Sequence, residues 1–144
     1  MKIAKIRDVK TPTRGTPKSA GIDFYVPNDF ISTIVKPNSA IKIPSGIKAE
    51  VPEGYALIAF NKSGVALKGL SIGASVVDED YQGEINLHVF NHLDIDITIN
   101  PGDKLVQFIL IPVFYATVVE VLLQDLFTRS SERGEGGFGS TNHV

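Results

Sequence analysis

Three carboxylates stand together in "VVDEDYQGE" at residues 76–84, after two β-branched residues and before an aromatic. A carboxylate held at a strand end, partly shielded from water, can serve as a general base toward a water molecule, and neighbouring acids tune its pKa. A solvated acidic hairpin has the same composition. "NKSGVA" at 61–66 offers a different chemistry: Lys62 supplies charge, Ser63 a hydroxyl donor, and Gly64 lets the backbone approach an anion at a helix start. Lys-Ser-Gly is also an ordinary surface turn, and the GxxxxGK[ST] pattern of a Walker loop is absent. Gln107 is the single polar side chain in "LVQFILIPV", either bonded to an edge backbone group or aimed at a site.

The chain closes on "RGEGGFGSTNHV" at 133–144. Glycines this dense do not form a packed strand or helix, because each loses more backbone freedom on ordering than any other residue. The tail reads as a frayed terminus or as a flap that orders over a ligand, with Arg133 meeting an anion and Phe138 covering something flat. His88, His92 and His143 make no zinc site. His88 and His92 are four apart, but in a strand that spacing is not the one-face helical geometry that HExxH requires.

The elements that must position these groups are strands. Ile41 and Ile43, then Ile47, Ala49 and Val51, then Ile85, Leu87 and Val89, then Ile95, Ile97 and Ile99 fall at every second residue, the period of a strand with one buried face. "PSG" at 44–46, "VPEGY" at 51–55 and "NPGD" at 100–103 are turn signals between them. The spacing predicts an all-β domain, a jelly-roll-like antiparallel barrel or sandwich over residues 1–128, followed by a flexible glycine-rich arm over 129–144. One short helical turn is expected within "SGVALKGL" at 63–70. The apolar run "KLVQFILIPVFYATVVEVL" at 104–122 exceeds what a half-exposed strand needs, which calls for a central strand pair or for burial against another subunit.

Composition narrows the class. At 144 residues the chain suits one domain with a genuine core. With 43% hydrophobic residues, 21% charged and a net charge of −2, it is neither disordered nor basic enough for general nucleic-acid binding. Without cysteine it has no disulfide, thiolate nucleophile or Cys-based zinc site. "MKIAKIRDVK" lacks the apolar stretch of a signal peptide and no run approaches a membrane span, so a cytoplasmic protein is expected, or one in the host-cell interior if the origin is viral.

Taken in order, "AGIDFYVP", "NKSGVA", "VVDEDYQGE", "GDKLVQFIL" and "RGEGGFGST" resemble the five motifs of the trimeric dUTP diphosphatase (dUTPase) family, and the resemblance runs from Ala20 to Thr141. It implies hydrolysis of dUTP to dUMP and pyrophosphate by attack of water on the α-phosphorus, with Mg2+ bridging the phosphate oxygens. Such an enzyme keeps uracil out of DNA and supplies dUMP for thymidylate synthesis. By the same resemblance Asp78 is the general base, Tyr81 packs under the deoxyribose and leaves no room for a 2′-hydroxyl, and a third-motif hairpin reads uracil through its backbone. Lys62, Ser63, Gly64 and Gln107 fall at the phosphates, Arg133 at the γ-phosphate, and Gly136, Gly137, Phe138, Gly139, Ser140 and Thr141 in the arm that closes over the nucleotide, with Phe138 on the uracil. Asp23 matches an acid that holds magnesium through water, which suits a hard ion that keeps part of its hydration shell.

The resemblance also implies a homotrimer whose sites are shared between subunits. Lys62 stands where the family usually has Arg, keeping the charge but not the bidentate fork. Ser75 replaces a usual glycine, and the loop "LSIGAS" looks short. Two other readings are a dCTP deaminase-like enzyme of the same fold, against which the tail argues, and a non-catalytic regulatory nucleotide binder, against which Asp78, Tyr81 and the arm together argue.

Overall fold

The structure, a computed structural model, describes residues 1–139. Ser140, Thr141 and His143 lie outside the described residues. The chain falls into two compact units, Met1–Phe114 and the segment from Tyr115 onward. Along the first unit run β1 (Lys2–Lys5), β2 (Ile22–Phe24), β3 (Thr33–Val35), β4 (Ala40–Pro44), β5 (Ile47–Glu50) and β6 (Tyr55–Asn61). A single helical turn, α1 (Ser63–Ala66), precedes β7 (Leu70–Ile72), β8 (Val76–Val77), β9 (Asn86–Asn91), β10 (Ile97–Ile99) and β11 (Val106–Pro112). Among the described residues, no helix is long and apolar enough to cross a membrane.

All strand pairs are antiparallel. A four-stranded sheet in the order β2-β11-β6-β8 and a three-stranded sheet in the order β4-β9-β7 are joined by two-stranded ribbons, β1-β5 and β10-β3. This is the all-β, jelly-roll-like sandwich that the alternating sequence predicts, with one very short helix in the first unit. The alternation is clearest in β9, where Leu87, Val89 and Asn91 are buried and the residues between them are half-buried. Leu57, Phe24 and Phe108 from the larger sheet share one apolar cluster with Ile43, Leu87 and Val89 from the smaller. The Phe24 and Phe108 rings meet in a tilted pair with centroids 4.5 Å apart.

The buried polar residue of β9 is fully partnered. Asn91 Nδ2 donates to the carbonyls of Val35 (3.0 Å) and Ile95 (2.9 Å), and its Oδ1 accepts from Leu93 N–H at 2.9 Å. A buried amide without such partners would cost about 1–3 kcal/mol. Asn91 therefore fixes the turn out of β9, and Ile95, expected in the following strand, lies outside β10 and is exposed.

The helical turn is shorter than the 63–70 window, ending at Ala66. The apolar run 104–122 also divides. β11 pairs with β6 as far as Pro112 opposite Tyr55, where the partner strand begins and where proline has no N–H to extend a ladder. Beyond it the second unit contains a 3-10 turn (Leu123–Asp125), and Val118, Val119, Leu122 and Phe127 are exposed in the single chain.

Candidate functional site

Strand register builds the first group of candidate residues. Asp23 in β2 lies opposite Gln107 in β11, which lies opposite Phe60 in β6, one residue before β6 ends at Asn61. The end of β6 delivers Lys62 and then Ser63 and Gly64, the exposed first residues of α1. Asp23 is buried, with its side chain only 7% exposed, and both carboxylate oxygens are taken. Oδ1 accepts from Lys62 Nζ, and Oδ2 faces Lys104 Nζ at 3.3 Å. A buried carboxylate needs such partners to stay charged. Two ammonium groups on one carboxylate leave a net positive charge, and Lys104 is the more exposed of the two.

Gln107 Nε2 donates to the Asn61 carbonyl at 2.8 Å, which ties the amide to the turn carrying Lys62 and Ser63. Gly21 makes room for it: a Cβ there would sit 2.0 Å from Gln107 Oε1. The glycine of "AGID" is thus required by close approach of a side chain that lies 86 positions later in the chain.

A second group forms on the loop between β8 and β9. Asp78, exposed, follows β8 directly, and Tyr81 N–H donates to the Asp78 carbonyl at 3.1 Å, closing a turn. Tyr81 is 42% exposed and its hydroxyl donates to the Glu84 carbonyl at 2.8 Å. Glu84 accepts a two-point bond from Arg7, at 2.7 Å from Nε and 3.1 Å from Nη2, and a third from Gly46 N–H at 2.9 Å. The Arg7 guanidinium holds the Glu84 carboxyl below the usual carboxylate range; partial burial opposes this and the Gly46 N–H reinforces it. A concavity of about 210 Å³ lies beside this loop, lined by Ser75, Val77, Asp78, Tyr81, Asn86 and Phe108.

The histidines brace the approach to that loop. His88 Nδ1 accepts from Ala74 N–H at 2.8 Å, and His92 Nε2 pairs with Ser71 Oγ. Among the described residues, no three His, Cys, Asp or Glu side chains come together as a metal site. With both oxygens of Asp23 engaged by lysines, the described residues do not form a cage for a resident magnesium ion.

The two groups stand apart in one chain. Val77 pairs with Leu57 on one side of the four-stranded sheet, and Asp23 is three strands away on the other edge and three residues further along β6. At about 3.4 Å per residue and about 4.8 Å per strand, that separation is roughly 18 Å. The chain therefore brings Asp23, Lys62 and Gln107 together, and Asp78 with Tyr81, but does not unite the two sets.

In the second unit, Arg133 turns back on its own segment. Its Nε donates to the Gly136 carbonyl at 2.7 Å while Gly136 N–H donates to the Arg133 carbonyl at 3.0 Å. Gly136 and Gly137 are half-buried, and Phe138 is fully exposed at a positive φ of 49° with Gly139 following at 96°. Sequence reading picked out neither Lys104 nor the Arg7–Glu84 pair. Lys104 lies within a stretch already marked as polar, whereas Arg7 and Glu84 are 77 positions apart and nothing in the pattern joins them.

Comparison with known proteins places this geometry in a family. A family model described as dUTPase matches residues 7–142. The deoxyuridine 5′-triphosphate nucleotidohydrolase of Yarrowia lipolytica is 39% identical over 144 residues, covering 98% of this chain and 88% of the relative. That of Candida albicans is 40% identical over 134 residues, covering 92% of this chain and 80% of the relative. The fold matches the solved structure of the Staphylococcus bacteriophage 80alpha dUTPase with dUpNHpp, with a TM-score of 0.85 at 22% identity over 99% of this chain and 98% of that one. From the motif order, the β sandwich that carries it and these matches along almost its whole length, the chain belongs to the dUTPase family.

Proposed function

We propose that this protein hydrolyses dUTP to dUMP and pyrophosphate, in sites that each draw residues from more than one copy of the chain. Family membership supports the dUTP nucleotidohydrolase activity. The observation that carries the shared site is the separation of the Asp78–Tyr81 loop from the Asp23–Lys62–Gln107 group across the four-stranded sheet. A second copy is what can bring one chain's Asp78 to another's Lys62, and three copies closing in a ring, as the resemblance implies, satisfy every chain equally.

In such a site the exposed Asp78 carboxylate takes a proton from a water as its oxygen bonds to the α-phosphorus, and the bond from that phosphorus to the bridging oxygen breaks to release pyrophosphate. Lys62 and Lys104 supply positive charge, Ser63 a hydroxyl, and Gln107 an amide on the phosphate side. Magnesium, entering with the nucleotide, would supply charge neutralisation at the triphosphate. Asp23 keeps the two lysines oriented. Tyr81 lies under the deoxyribose. Arg133 exchanges the Gly136 carbonyl for a phosphate, and Phe138, solvent-exposed here, covers the uracil.

The test is pyrophosphate release with magnesium from dUTP, dTTP, dCTP and UTP offered in parallel. Rapid release from dUTP alone is expected. Ammonia from dCTP, or binding of dUTP with no release, would contradict the proposal.

A further inference from the structure

Glu84 is fixed at both ends. Its carbonyl accepts the Tyr81 hydroxyl at 2.8 Å and Asn86 Nδ2 at 3.0 Å, while its carboxylate is held by Arg7 and by Gly46 N–H. The Tyr81 ring rests on Gly83, where a Cβ would come 2.4 Å from the phenolic oxygen and 2.5 Å from Cζ. The ring therefore has a floor, Gly83, and a stop, the Glu84 carbonyl. The stop is only as rigid as the residue that carries it. Arg7, in the segment after β1, supplies that rigidity from outside the loop through a planar two-point bond that lysine does not reproduce.

We infer that Arg7 is a positioning residue for sugar selection: through Glu84 it sets where the Tyr81 ring stands, and so how strictly a 2′-hydroxyl is refused. The inference rests on the reading that Tyr81 packs under the deoxyribose. A ring free to tilt admits the extra oxygen, so loosening Arg7 raises turnover of the ribonucleotide more than it lowers turnover of dUTP. Misplacement of about 1 Å is enough to change rates by up to about 100-fold, so a change of about tenfold is expected from losing one brace.

The test compares kcat/KM for dUTP and UTP across the full-length wild type, Arg7→Gln, Arg7→Lys, Tyr81→Phe, Tyr81→Ala and the Arg7→Gln/Tyr81→Phe double variant, with folding checked by circular dichroism. Arg7→Gln should lower the dUTP to UTP ratio about tenfold, and Arg7→Lys should lower it less. Tyr81→Phe removes the hydroxyl bond but leaves the ion pair; it should match Arg7→Gln, and the double variant should be no worse than either, because both act through one link. A folded Arg7→Gln that keeps the wild-type ratio while Tyr81→Ala loses it would overturn the role of Arg7 alone. An unchanged ratio in Tyr81→Ala would overturn the sugar-packing reading and the inference with it. If Arg7→Gln does not fold, Tyr81→Phe decides: a lowered ratio supports the link and an unchanged one refutes it.

Discussion

Asp78 and Asp23 show how environment separates two identical side chains. Asp23 is buried with each carboxylate oxygen paired to an ammonium group, which makes it an anchor for Lys62 and Lys104. Asp78 is exposed at the end of β8 beside a concavity, where it can reach a water. Changing Asp78→Asn keeps the shape, replaces one accepting oxygen by a donating amide and removes the base, and loss of a positioned general base typically costs about 100-fold to 10,000-fold in rate. The expected outcome is unchanged dUTP binding by calorimetry with turnover reduced at least about 100-fold; near-normal turnover would show that another group takes the proton. At this scale the residue types were legible in the sequence, since DED, Lys-Ser-Gly and the lone Gln107 all fall in the two groups that the fold builds. The pairing of Asp23 with Lys62 and Lys104 was not, because it depends on a register across three strands.

Elements decide whether those residues hold their places. Period-two alternation was enough to find β4, β5, β9 and β10, because each has one face on the core. It does not reach the run after Pro112, where apolar residues continue but the partner strand has ended. The loop between β8 and β9 is tied to the β1 and β5 side of the domain by Arg7 and by Gly46 N–H, both through Glu84. Because Arg7 lowers the folded-state pKa of Glu84, the pair contributes stability that is fully present above the ordinary glutamate value of about 4.3 and is lost as pH falls below it, through the lowered folded value. Wild type should therefore exceed Arg7→Gln in melting temperature by a constant margin from pH 6 to 8, and the margin should shrink toward zero as the solution is acidified below about pH 4. A margin that grows on acidification would show that the pair is not the source of the difference.

For the whole molecule, the fold class was readable because short strands and turn signals recur along most of the chain, and the motif order tied that fold to the dUTPase family. What the sequence could not display is that the sheet order sends Asp78 to one edge and Asp23 to the other. The same order makes the account testable without resolving any assembly. Asp78→Asn and Lys62→Gln each disable one of the two groups that a single chain keeps apart. If every site takes its Asp78 and its Lys62 from different copies, co-expression of the two inactive variants in equal amounts should restore about a quarter of wild-type dUTP hydrolysis. Activity no higher than that of either variant alone would mean that each chain carries its own complete site, contrary to the proposal.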